Sequence, residues 1–143
     1  MKIKSDSFED EGNIPSRYSC QGEDINPSLM LSDVPQGART LVLIVDDPDA
    51  PMGTWTHWLV WDIEPREVIK EGSIPGIQGK NDFGKNDYGG PCPPSGTHRY
   101  FFKIYAMDSK LGLKEGASRS MLEESMNGHV LDKCSIMGRY KRK

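Results

Sequence analysis

Long hydrophobic runs are missing from this chain of 143 residues: the longest purely aliphatic stretch is Leu41–Val45, far short of the roughly 18 residues that would read as a membrane span. A bilayer-spanning helix is excluded. Met1–Phe8 carries two lysines with no apolar stretch behind them, so no secretory signal is expected and the cytoplasm is the expected location. Cysteine is scarce too. Cys20, Cys92 and Cys134 are odd in number, widely spaced and form no C-x-x-C, which argues against a disulfide framework or thiolate zinc site and for reduced thiols. Excess positive charge is also lacking, with 18 Lys plus Arg against 21 Asp plus Glu. Four of the last five residues are basic, yet an acidic body repels phosphate backbones and anionic lipid surfaces, so nucleic acid and membranes are not expected partners. No internal repeat, low-complexity tract or long linker divides the chain, and a single domain over 1–143 is expected. A chain of this size buries roughly 68–70% of its unfolded surface, so neither metal nor disulfides are needed to hold a core, and no cofactor is expected.

Turn residues, by contrast, are plentiful. Ten Pro and 15 Gly punctuate short apolar runs, the pattern of a mainly β protein with many turns. Strands are predicted over 2–8, 28–31, 40–46, 54–63 and 99–107, with a last one near 135–140. In 55–63, Trp55, His57, Leu59, Trp61 and Ile63 share one parity and Trp58 and Val60 the other. Both faces are largely apolar, which predicts a central strand sandwiched between layers. The 99–107 segment reads the same way, with Tyr100, Phe102, Ile104 and Ala106 on one face and Phe101, Tyr105 and Met107 on the other. One short helix is predicted after Ser120: Ser120 and Glu123 fit a capping box, Met121, Leu122 and Met126 form a stripe, and Gly128 suits the left-handed stop. Residues 72–96 are too rich in Gly and Pro for regular structure, but Phe83 and Tyr88 favour an ordered, functional loop. The seven Met are expected to fill core gaps.

Asp46-Asp47-Pro48-Asp49-Ala50-Pro51 follows directly on the apolar strand 40–45, so its carboxylates emerge where a buried strand reaches the surface. The prolines stiffen the bend, and so many acids repel one another unless cations or donors lie nearby. His57, on an apolar face, is a candidate partner. His98 opens the second aromatic strand after the stiff Pro91–Thr97 loop and shares a face with Tyr100, so an imidazole and a phenol can point into one cavity.

These segments carry a specific resemblance. Asp47-Pro48-Asp49-Ala50-Pro51 with Trp55-Thr56-His57-Trp58-Leu59-Val60, then Cys92-Pro93-Pro94 with Gly96-Thr97-His98-Arg99-Tyr100, resemble the two signature regions of the phosphatidylethanolamine-binding protein family, in its microbial, Raf-kinase-inhibitor-like form. Ile14-Pro15 to Pro27, Asn81-Asp82-Phe83-Gly84 and Gly128-His129-Val130-Leu131 extend the resemblance over nearly the whole chain. The fold it implies is mainly β, with antiparallel sheets, Greek-key connections and little helix. The site it implies is a small surface pocket for phosphate or a phosphorylated or zwitterionic headgroup such as phosphoethanolamine. Asp47 and Asp49 match its acids, Pro51 its proline, Trp55 and His57 one wall, and Pro93, Pro94, His98 and Tyr100 the opposite lip. Gly90 marks where the loop backbone approaches the ligand. Imidazole, phenol and backbone N–H groups suit such a ligand as donors, and the acids are expected either to orient His57 and raise its pKa or to face the ammonium end of a zwitterionic headgroup. Arg99, on the other face, is expected to be a structural ion-pair partner, and His129 a terminal or packing residue.

Departures limit what carries over. The link from Pro51 to Trp55 is only Met52-Gly53-Thr54, and the chain stops soon after Tyr140, so the helix bordering the pocket in animal relatives is expected to be missing and kinase regulation does not transfer. A homodimer is expected from the microbial resemblance. The primary expectation is a non-catalytic binding module, with a possible regulated protein partner. Alternatives are a kinase or protease inhibitor acting through exposed loops such as Gln78–Gly90, and a hydrolase using Cys92 or Ser95 with His98. A metal site built from Asp47, Asp49, His57 and His98 is a further alternative.

Overall fold

The apolar runs pair into two antiparallel sheets. The computed structural model describes all 143 residues. Strands β1 (Lys2–Lys4), β2 (Leu29–Ser32) and β5 (Val68–Ile69) form the smaller sheet. The larger one contains β3 (Thr40–Asp47), β4 (Trp55–Ile63), β6 (Ile77–Gln78), β7 (Thr97–Met107) and β8 (Val130–Lys141), in the order β6-β4-β3-β7-β8. Within this sheet β3, β4 and β6 lie side by side in chain order and β7 returns to the far side of β3, which is a Greek key. The mainly β fold with a single short helix is therefore as the sequence predicts. The last strand is longer than predicted, the first shorter, and two-residue β5 and β6 lie outside the predicted set.

Helix α1 (Arg119–Met126) covers the outer face of the large sheet through Leu122 and Met126. Its N-cap is Ser118, whose hydroxyl accepts the Met121 N–H; the predicted Ser120–Glu123 box does not form, and Glu123 instead meets Arg119 one turn back. Gly128 does take the left-handed conformation, at φ 83°. Met52 and Met121 are exposed, so the expectation that methionines fill the core holds for Met107 and Met126 but not for these two.

Strand β3 is buried along its whole length because both faces are covered. Leu41, Leu43 and Val45 enter the core between the sheets, and Val42 and Ile44 pack toward α1. Strand β4 starts the same way, with Trp58 and Val60 inward and Leu59 and Trp61 toward α1. Its regular alternation fails twice. Leu41 pairs with Ile63 but Leu43 with Val60, and Val45 pairs with Trp58 but Asp46 with Thr56. Each step leaves an extra residue on β4, a β-bulge. At the first, Asp62 takes φ 52° and Ile63 joins the inter-sheet core. At the second, the extra residue is His57.

Candidate functional site

That second bulge makes the site. A regular strand would send His57 toward α1 with Leu59 and Trp61, as sequence parity grouped them. The bulge re-aims the ring to the opposite face, where it meets Tyr100 edge-on at 5.2 Å. Thr56 takes the α1 side instead and accepts from Arg119. On β3 the same division appears: Asp46 faces Arg119 and Lys103, each at 2.9 Å, and Asp47 faces the Tyr100 side.

Asp47, His57, His98 and Tyr100 then line one cavity of about 220 Å³, walled by Ala50, Pro51, Trp55, Phe83, Cys92, Pro93 and Pro94. Of the ten residues that the resemblance assigned to the pocket, only Asp49 and Gly90 lie off its lining. Asp49 sits beyond the end of β3, where Pro48 turns the chain, and its carboxylate grips Arg99 at 2.9 and 3.0 Å while accepting the Arg99 N–H. The guanidinium holds the Asp49 pKa down at about 2, and Arg99 is the ion-pair partner expected of it. Gly90 works behind the wall. Its N–H donates to Asp24 at 2.7 Å, and a Cβ there would collide with the Tyr18 carbonyl and the Asp24 carboxylate.

The hydrogen bonds correct the expected role of the acids. Asp47 binds His98, not His57: His98 Nδ1 donates to Asp47 Oδ2 at 2.7 Å, and Asp47 Oδ1 accepts the Asp49 N–H at 2.7 Å. His57 Nδ1 instead donates to the Gly89 carbonyl oxygen at 2.7 Å. The expected rise in its pKa is reversed, because burial against Phe83 and Tyr100 pushes it below the usual imidazole value. Burial, with Asp47 nearby, also pushes the Tyr100 phenol up. The Tyr100 hydroxyl is the one buried side-chain polar atom without a hydrogen-bond partner.

A depressed imidazole pKa has a stability consequence. The unfolded chain takes up a proton near pH 6.5, the folded one only at lower pH, so this stability is full above about 6.5 and is lost as pH falls toward the folded value. Chemical denaturation of the ligand-free protein at pH 7.5, 6.5 and 5.5 is expected to show a declining free energy that His57→Gln flattens. An unchanged slope in the variant would assign the decline to other groups.

Several contributors were noted in the sequence only as loop residues and not assigned to the site. Phe83 caps the cavity edge-on to both Trp55 and His57. Asn81, itself buried, ties the loop together: its amide donates to the Asp87 and His57 carbonyls, and its oxygen accepts from Phe83 and Lys85. Asp82 clamps Thr56 at 2.6 Å. The Asn81-Asp82-Phe83-Gly84 run carried the signal, an Asn/Asp turn holding an aromatic.

The cysteines require a second correction. Cys20 and Cys92 form a disulfide with Cα atoms 5.5 Å apart, and Cys134 alone is free. Spacing could not reveal the pair because 72 residues separate them. A disulfide suits an oxidising compartment or some thermophile interiors, so the thiols no longer support a cytoplasmic location. No helix is long and apolar enough to cross a membrane. Neither candidate nucleophile is activated: Cys92 is bonded to Cys20, while exposed Ser95 makes no hydrogen bond to His98, whose Nδ1 is held by Asp47. No group of three or more His, Cys, Asp or Glu is arranged to hold a metal. His129 is an exposed residue paired with Asp108 at 2.8 Å.

Comparison with known proteins agrees with this architecture. The family model described as phosphatidylethanolamine-binding protein matches residues 4–141. The chain is 47% identical over 150 residues to a UPF0098 protein of Methanothermobacter thermautotrophicus, covering 99% of both. It is 49% identical over 152 residues to one of Aquifex aeolicus, covering 99% of this chain and 89% of that one. Among solved structures, a phosphatidylethanolamine-binding protein homolog of Chlamydia trachomatis, CT736, superposes with a TM-score of 0.96 at 42% identity, covering 99% and 97% of the two chains. Escherichia coli YbcL superposes at 0.91 with 28% identity, covering 99% and 98%. The chain belongs to the phosphatidylethanolamine-binding protein family.

Proposed function

We propose that the protein is a non-catalytic binding module whose pocket receives a small anion, either phosphate or the phosphoryl end of a headgroup such as phosphoethanolamine. The observation that carries this reading is the buried, unpartnered Tyr100 hydroxyl beside the two histidines that line the same cavity. An unpaired buried polar group costs about 1–3 kcal/mol, and an oxygen of the ligand supplies the missing acceptor. The apolar wall of Trp55, Phe83 and three prolines excludes water around that contact. The family name points to the same phosphoryl chemistry.

Calorimetry with inorganic phosphate near pH 6, on the native protein and Tyr100→Phe, tests the reading. The variant is expected to bind roughly tenfold more weakly, as loss of a hydrogen bond to a charged partner implies. Its ligand-free stability is expected to be equal or higher, because an orphaned hydroxyl has been removed. Absence of binding at millimolar phosphate, or equal binding by the variant, would remove the proposal.

A further inference from the structure

The directions of the histidine hydrogen bonds restrict which phosphoryl ligand fits. A carbonyl oxygen only accepts, so the 2.7 Å contact to Gly89 places the hydrogen of His57 on Nδ1. In the neutral ring Nε2 is then a lone pair. The same holds for His98, whose Nδ1–H faces the Asp47 carboxylate. Neither Nε2 has a protein partner, and neither is among the fully buried unpaired atoms. Both rings are more than nine-tenths buried and line the cavity, so their remaining surface opens there. Neutral His57 therefore offers an acceptor at Nε2 and not the donor expected from the sequence.

Charge narrows the choice further. No Lys or Arg lines the cavity, and Arg99 is engaged by Asp49 outside it. The Asp47–His98 pair brings no net positive charge whichever protonation state the imidazole takes. Burial keeps His57 neutral at pH 7. A dianion would enter an apolar space facing the Asp47 carboxylate and the His57 lone pair, with no net positive charge to offset its desolvation.

We infer that His57 determines specificity: its Nε2 accepts from the P–OH of a small phosphomonoester monoanion, an unprotonated oxygen of which takes the Tyr100 hydroxyl. A phosphodiester headgroup carries the same charge but has no proton to give, and is the disfavoured ligand. This rests on the phosphoryl reading of the pocket. The complex holds one proton more than neutral His57 and the free dianion. Because the second pKa of a phosphomonoester is about 6, affinity falls by up to about tenfold per pH unit above it. The charged and titratable groups around His57 are Asp46 and Asp47 on β3, His98 and Tyr100 on β7, Asp82 at the Thr56 N–H and Asp24 behind Gly90. Only the imidazoles belong to a type that titrates in this range, so the contribution of His98 must be separated from that of the ligand.

Calorimetry with methyl phosphate and dimethyl phosphate from pH 5.5 to 8 makes that separation, since the diester charge is constant. At pH 6 methyl phosphate is expected to bind at least about tenfold more tightly, and the pH dependence should follow the monoester alone. Equal affinities with parallel pH profiles would overturn the role of His57 while leaving an anion pocket in place. If neither ester binds at millimolar concentration, the pocket reading falls as well. His57→Gln, whose carboxamide can donate, is expected to bring the two esters within about threefold of each other. Should that variant not fold, ¹⁵N NMR of the native protein decides: a hydrogen on Nδ1 of His57 supports the inference, and one on Nε2 overturns it.

Discussion

Asp47→Ala is expected to lower stability by about 3–5 kcal/mol and to abolish phosphate binding, the loss seen when one partner of a buried pair is removed. Asp47 and His98 are only 3% and 7% exposed, 2.7 Å apart, so the imidazole N–H left behind loses its protein acceptor. The same substitution strips the Asp49 N–H of its acceptor and loosens the turn that carries Pro51 to the cavity. The double variant Asp47→Leu, His98→Phe discriminates function from scaffolding. Replacing a whole buried pair by apolar groups of similar size is often neutral, and the new ring would stack near Tyr100, as His98 does at 6.5 Å. Most of the lost stability should therefore return without any binding. Urea denaturation beside phosphate calorimetry reads both quantities. A double variant as unstable as Asp47→Ala would make the pair a structural strut, and a stable Asp47→Ala would contradict its buried geometry.

This pair also marks what the sequence could and could not say. Asp47 and Asp49 look equivalent in Asp47-Pro48-Asp49, yet β3 ends between them, so strand parity stops applying and only Asp47 remains inside. His57 shows the same limit. Its apolar setting was legible, whereas the extra residue that turns it to the Tyr100 side was not, because a bulge is specified by the pairing of β4 against β3. What could be read was what local periodicity encodes: the all-apolar β3, the two-faced aromatic strands and the helix ended by Gly128. The family resemblance then supplied the pocket, since distant segments had to be joined. It did not supply hydrogen-bond direction, and the partner exchange between Asp47 and Gly89 reverses the expected electrostatics of His57.

Reduction of the Cys20–Cys92 disulfide is expected to lower stability by about 4 kcal/mol, because releasing a loop of some 72 residues restores that much chain entropy to the unfolded state. For a domain of this size the melting temperature should fall by roughly 10 °C or more. Ligand affinity should change far less. Cys92 stands in the pocket wall, but Cys20 N–H still donates to the Pro91 carbonyl at 3.1 Å, Tyr88 Oη–H to the Tyr18 carbonyl at 2.8 Å, and Gly90 N–H to Asp24 at 2.7 Å. Those contacts hold the Pro93–Pro94 lip against the 18–24 segment without the covalent link. The Cys20→Ser, Cys92→Ser double variant, melted beside the oxidised protein and titrated with phosphate, separates the two effects. An unchanged melting temperature would mean that the bridge does not form in solution or that the reduced unfolded chain keeps the two loops together. Loss of binding beyond about tenfold would instead make the disulfide part of the receptor, placing the redox state of Cys92 in control of what the pocket holds.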